Sequence, residues 1–310
     1  MSLLESLLNV IPGAIEIRNS LPRPTWEAIA AWVESNTVSS AQNEIWTEIA
    51  NDWMRHLQAA LPPGYIVHES AEFILLGKDA AISKQIVKWC EIARKTILEA
   101  LDGVAVDDGY GKHVVLSFSN IDTYYDYISD FYPDDGEFAL SGGMFFNTGY
   151  GHFAICPTSG YEYERPISHE LTHVLLRHLP LPLWLNEGVS QFMEDVVSGT
   201  SYFRIDHEGR QRHHDYWNAD TIHSFWSGES FYSADEGQQL SYELSQVLFR
   251  NLLSDYPGKM KEILRAASYV DAGNAAIVKV CKKSLDDRVG QFLGKGTWSP
   301  RSNYTDEPEP

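Results

Sequence analysis

A helix buried along one side is written into Ile167–Leu179 (ISHELTHVLLRHL), and the rest of the chain has to fold around it. Leu171, Val174, Leu175 and Leu179 fall three and four residues apart, the spacing of a single helical face. Ser168 stands where it can help start this helix, and Pro180 and Pro182 stop it. His169 and His173 are four residues apart, so their imidazoles lie one turn apart on the same side. Two rings so placed can bind one metal ion together, and Glu170, next to the first, can reach a water on that ion.

A second helix follows the prolines. Glu187 comes fourteen residues after His173, inside Leu183-Trp184-Leu185-Asn186-Glu187-Gly188. Asn186 is placed to cap a helix over 186–197, which sets Glu187 in its first turn, facing back to the histidines. Two His and one Glu form a known catalytic zinc set with the fourth position open. The expected centre is one zinc ion on His169, His173 and Glu187, with Glu170 as general base. Farther along, Glu194 or Asp195 could orient a ligand histidine, or either could be a solvated helix charge. His178 reads as a surface residue and His213-His214 as a polar loop pair. Asp107-Asp108-Gly109 and Asp134-Asp135-Gly136 read as turns, because the later ligands of a calcium loop are absent.

The pattern along the chain is α+β. An N-terminal helical region spans 1–64, with helical spacing over 24–61 ended by Pro62, Pro63 and Gly64. Over 65–164 strands at 72–76, 114–118, 143–146 and 152–156 alternate with helices at 81–101 and 121–131, which predicts a small mixed sheet with helices on one face. From 165 to 297 the pattern is mostly helical, with helices at 167–179, 186–197, 237–255, 258–268 and 284–293. The polar, aromatic stretch 200–236 reads as an irregular functional loop, and 298–310, rich in Pro and Glu, as a disordered tail.

Composition narrows the partners. With 43 acidic and 24 basic residues the formal charge is −19, a field that repels phosphate backbones and anionic bilayers. Neither nucleic acid nor a membrane is an expected partner, and no stretch approaches the roughly 20 apolar residues of a span. Cys90, Cys156 and Cys281 are far apart and odd in number, so a reducing compartment fits best. The N-terminal residues make a poor signal peptide, and the expected location is the cytoplasm.

HELTH followed by WLNEG resembles the gluzincin metallopeptidases, in particular the compact bacterial peptidase MA-like branch. The resemblance is specific over 165–195 and weaker over 66–160 and 237–270. It implies a zincin-like fold, zinc on His169, His173 and Glu187, base catalysis by Glu170, and an edge strand that pairs with an extended peptide. Gly143–Asn147 (GMFFN) is the segment in the matching place. Aminopeptidases of this clan carry a glutamate after the methionine of that strand; here it is Phe145, which points to an endopeptidase or another amide hydrolase. Thermolysin-like enzymes carry an aspartate four residues after the glutamate ligand; here it is Gln191. Tyr242 matches the family position of the oxyanion donor, and equally suits a core or capping tyrosine; Tyr232, His214 and His223 are weaker candidates for the donor. The implied partner is a peptide or protein substrate. The competing reading is a catalytically silent zinc protein that serves as an interaction module.

Overall fold

A computed structural model of the protein describes residues 6–131, 143–156 and 163–304. In chain order the elements are α1 (Leu7–Val10), β1 (Ile15–Arg18), β2 (Leu21–Pro24), α2 (Trp26–Asn36), α3 (Gln42–Ala60), β3 (Ile66–Glu69), β4 (Phe73–Gly77) and α4 (Ala80–Ala100). Next come β5 (His113–Ser117), α5 (Ile121–Ile128), β6 (Gly143–Phe146) and β7 (His152–Ile155). The remainder is helical: α6 (Glu164–Leu176), α7 (Leu183–Ser198), α8 (His207–Tyr216), α9 (Ile222–Ser227), α10 (Glu236–Asp255), α11 (Met260–Ala266), α12 (Asn274–Cys281) and α13 (Leu285–Leu293).

The main sheet has the order β3-β4-β5-β7-β6, with β4, β5 and β7 parallel and both outer strands antiparallel to their neighbours. It is covered on both faces, not on one as the alternation of elements suggested. β4 (FILLG) is buried at every position, the mark of a strand with apolar layers on both sides. Phe73 and Leu75 point into one core with α4, α6, α7 and the C-terminal helices. Ile74 and Leu76 point into a second, with α2, α3 and α5. The N-terminal helices therefore pack on the sheet. They are preceded by a β1–β2 hairpin inside the region read as helical.

Helix boundaries shift for identifiable reasons. α6 begins at Glu164, ahead of Ser168, because Pro166 sits in the first turn, where backbone N–H groups have no helical acceptor to lose. α7 begins at Leu183 with Pro182 before it, so Asn186 lies inside the helix and does not cap it. The stretch 200–236 is not wholly irregular: it holds α8, whose start is capped by Asp206 accepting from the Gly209 N–H, and α9. Within the stretch read as a disordered tail, the Trp298 indole is buried, its backbone carbonyl accepts from Trp226 Nε1–H at 2.9 Å, and Tyr304 packs against the first core, while Ser299 and 301–303 are exposed. Asp134–Gly136 and residues 305–310 lie outside the described residues. No helix of the described residues is long and apolar enough to cross a membrane.

The second core holds a buried histidine with a consequence for stability. His152 Nε2 pairs with Tyr127 Oη at 2.6 Å, and its ring stacks on Phe146 and meets Trp53 edge-on. Burial, aided by Arg23, holds its pKa down at about 3. The unfolded chain takes up a proton on this side chain below about pH 6.5, whereas the folded chain does not. Stability is therefore complete above about 6.5 and is lost as the pH falls toward 3. Between pH 7.5 and 5 the native chain is expected to lose about 2 kcal/mol more than His152→Gln in urea unfolding. Equal losses in the two proteins would refute the assignment of a neutral His152.

Candidate metal centre

α6 presents His169 and His173 with their ring centroids 4.8 Å apart. α7 lies against α6 and brings Glu187 to them: Glu187 Oε2 is 3.1 Å from His169 Nε2, and Oε1 is 3.6 Å from His173 Nε2. One ligand atom from each of the three residues lies within 4.8 Å of the others. The edge of a tetrahedron around an ion with bonds of 2.0–2.1 Å is about 3.3 Å. The two His–Glu separations bracket that value. Gly188 lets α10 seat against α7 at this level, because a β-carbon there would fall 2.9 Å from Phe249 Cβ and 3.0 Å from the Ser245 carbonyl oxygen.

The far side of each imidazole is occupied. His169 Nδ1 donates to Glu194 Oε1 at 2.7 Å, and His173 Nδ1 lies 3.3 Å from Ser190 Oγ. An ionised carboxylate only accepts, so Nδ1 of His169 carries a proton toward Glu194, and Nε2, on the Glu187 side, is the atom that could face an ion. Glu194 is seven residues after Glu187, two turns along the same face of α7. Asp195 faces elsewhere and binds Arg165 Nη2 at 2.7 Å and Arg250. Gln191 turns away from the histidines and donates to the Tyr242 carbonyl at 3.3 Å. Glu194, two turns beyond Glu187, thus occupies the far nitrogen of His169. Arg165, which the sequence reading passed over, bonds Glu194 Oε2 at 3.0 Å as well as Asp195. Its signal was its position, one turn before His169 on α6.

The charges fit a cation. Burial pushes the Glu170 carboxyl up to about 7, with Glu187 and Glu194 adding to the rise and His169 opposing it. Burial opposes charge on His169, but Glu187 and Glu194 outweigh it and raise its pKa well above the ordinary value. Burial lowers that of His173. Glu187 is held below the usual carboxylate range, the two histidines outweighing its burial. Three buried or half-buried carboxylates thus surround two imidazoles. Glu187 Oε2, itself buried, meets no donor in hydrogen-bonding alignment. A divalent ion relieves both the charge excess and the orphaned oxygen. The group His169, His173 and Glu187 could hold a metal ion.

The base candidate is steadied by the sheet. β6 brings the Phe145 backbone amide toward the Glu170 carboxylate, where it opposes the rise that burial causes. Gly143 closes on the same side chain, since a β-carbon there would lie 3.1 Å from Glu170 Oε1. β6 is an edge of the sheet, at the wall of a cleft of about 1190 Å³ that also contains the three ligand candidates and Tyr242. Tyr242 is half-buried, with its ring edge-on to Phe231 at 5.2 Å. Tyr232 lines the same cleft and is exposed. His214 is exposed on α8, and His223 pairs with Tyr304 Oη at 3.3 Å; neither lines the cleft. His178 is exposed, and His213 is buried between Trp217 and Glu243 rather than in a polar loop.

Glu194→Gln is expected to weaken metal binding by about 10- to 100-fold, because the Nδ1–H of His169 loses its anionic acceptor. Competition against a chromophoric chelator measures this. An unchanged affinity would show that Glu194 is a bystander.

Among known proteins, no family model matches the chain, and no curated protein matches it significantly in sequence.

Proposed function

We propose that this protein is a zinc-dependent peptide hydrolase of the gluzincin type, close to the peptidase MA-like branch and acting as an endopeptidase. The observation that carries the reading is Glu170: a carboxylate on the ligand helix, beside the His169–His173–Glu187 group and anchored to an edge strand. A purely structural ion has no use for such a carboxylate. The mixed sheet, with its antiparallel edge strand next to the helix carrying HELTH, supports a zincin-like fold. Two imidazoles and a carboxylate are the donor set favoured by zinc. Three buried, unpaired cysteines support a reducing compartment, and we assign the protein to the cytoplasm.

Zinc, when bound, supplies Lewis acidity and brings the pKa of a water to about 7. Glu170 takes up a proton on its carboxylate and returns it to the amide nitrogen that leaves. The Phe145 backbone amide, brought toward that carboxylate by β6, favours its charged form. His169 and His173 stay neutral donors through Nε2, the first fixed by Glu194. β6, at the edge of the sheet among the described residues, is assigned as the strand that meets an extended substrate backbone. Tyr242 is assigned as the donor to the developing oxyanion, and Tyr242→Phe is expected to lower kcat about 10²-fold with zinc content unchanged. An intact rate in that variant returns Tyr242 to a packing role.

The direct test is metal content together with cleavage of a peptide library, before and after dialysis against a chelator. About one zinc per chain and cleavage that is lost on chelation and restored by zinc support the proposal. A chain that binds no zinc ends it. A chain that binds zinc and cuts no peptide points to an interaction module or to a non-peptide amide.

A further inference from the structure

The segment between α7 and α8 carries chemistry that the metal centre does not use. Residues 200–206 form neither helix nor strand, and their exposure alternates. Phe203 and Ile205 are half-buried and pack against the core at the cleft wall. Tyr202 and Arg204 are exposed and line the same cleft.

The position of this segment relative to the metal centre follows from a chain of contacts. Glu194 holds His169 at 2.7 Å and Arg165 at 3.0 Å. The Arg165 guanidinium lies 5.1 Å from the centre of the Tyr202 ring. Two residues on, Arg204 lies within about 7 Å of Tyr202 along the chain. Arg204 is therefore within a few substrate residues of the ligand group.

Four arginines line the cleft. Arg165 is taken by Glu194 and Asp195, Arg177 by Asp108, and Arg212 by Glu243 at 3.3 Å. Arg204 has no ion pair or hydrogen bond among the described residues. The acidic residues next to it in sequence do not reach it, and Asp206 is already occupied as the cap of α8. In a chain of formal charge −19, a carboxylate ligand is repelled almost everywhere. A guanidinium is the side chain that overcomes this locally, with a planar fork matched to two carboxylate oxygens.

We propose that Arg204 is a specificity-determining residue that binds a carboxylate of the peptide substrate a few residues from the cleaved bond. This rests on the peptide-hydrolase reading of the same cleft. The carboxylate belongs either to an Asp or Glu side chain or to the free C-terminus of the peptide.

The test uses equilibrium binding, so that it does not depend on turnover. The zinc-loaded Glu170→Gln protein, with and without Arg204→Gln, is titrated with labelled decapeptides in which one Glu, or one Gln, walks along the sequence. Each peptide is made with a free and with an amidated C-terminus. With Arg204 present, one carboxylate position binds about tenfold more tightly than its neutral counterpart, and added salt shrinks the difference. Arg204→Gln abolishes the preference and leaves binding of the neutral peptides unchanged; Arg204→Lys retains part of it. Preference for an internal Glu identifies a side-chain carboxylate, and preference for the free over the amidated end identifies the C-terminus. Equal binding of charged and neutral peptides, no binding of either, or a preference that survives Arg204→Gln overturns the proposal. Cleavage by the native chain is scored separately. Cleavage without a carboxylate preference defeats this inference alone, and a preference dependent on Arg204 without any cleavage defeats the peptidase reading alone.

Discussion

Glu170→Gln is expected to keep about one zinc per chain and to lower peptide hydrolysis by about 10³- to 10⁴-fold. The two side chains have nearly the same shape. The Gln carbonyl can still face the Phe145 backbone amide, and the close approach of Gly143 is unchanged. The ligands His169, His173 and Glu187 are untouched. The variant lacks only a group that can gain and give up a proton. It also lacks a charge that burial penalises, as the rise of the Glu170 pKa to about 7 indicates. Its Tm is therefore expected to be no lower than that of the native chain, which separates lost chemistry from lost folding. Zinc analysis, a thermal melt and kcat on a common peptide settle the matter. A variant that still cuts at the native rate removes Glu170 from the mechanism.

Glu187→Ala is expected to weaken zinc binding by more than about 100-fold, since a directly bound ligand matters more than its supporting partner. Among the described residues, Glu187 is also the only carboxylate paired with Nε2 of both histidines, at 3.1 and 3.6 Å. Without it the two imidazoles are left as a two-donor site. The effect appears in stability as well as in stoichiometry. A native chain in zinc at about 1,000 times its Kd gains about 4 kcal/mol, seen as a rise in Tm. The variant gains almost nothing at the same concentration. A zinc-induced shift of native size in Glu187→Ala would mean that the ion binds elsewhere.

The group His169, His173 and Glu187, which could hold a metal ion, was legible because its spacing follows from helix geometry: histidines four positions apart on one helix, then a turn made by prolines. What lay one contact farther out was not legible. Glu194 and Asp195 are neighbours in sequence and equal in charge, and only the packing of α7 decides that Glu194 meets His169 while Asp195 meets Arg165 and Arg250. The β1–β2 hairpin escaped because its turn uses Asn19 and Ser20 at positive φ rather than the usual glycine, and its second strand holds Pro22 and Pro24. α8 escaped because HEGRQRHHDY has no apolar stripe; one buried residue, His213, ties it to Glu243 on α10. The second covering layer of the sheet was present in the unbroken apolar run of β4, and the alternation of elements drew attention away from it. Trp298 is buried although it opens a polar stretch, because one large indole finds a site in the core.

The contact between Gly143 and Glu170 ties the centre to the rim of the sheet. The group that could hold an ion is carried by a pair of helices, and Glu170, on the first of them, meets the rim strand within the apolar core that helices and sheet share. If the centre is the peptide hydrolase proposed above, metal occupancy and turnover need not rise together, because the Glu170 carboxylate depends on where β6 sits as well as on its own helix.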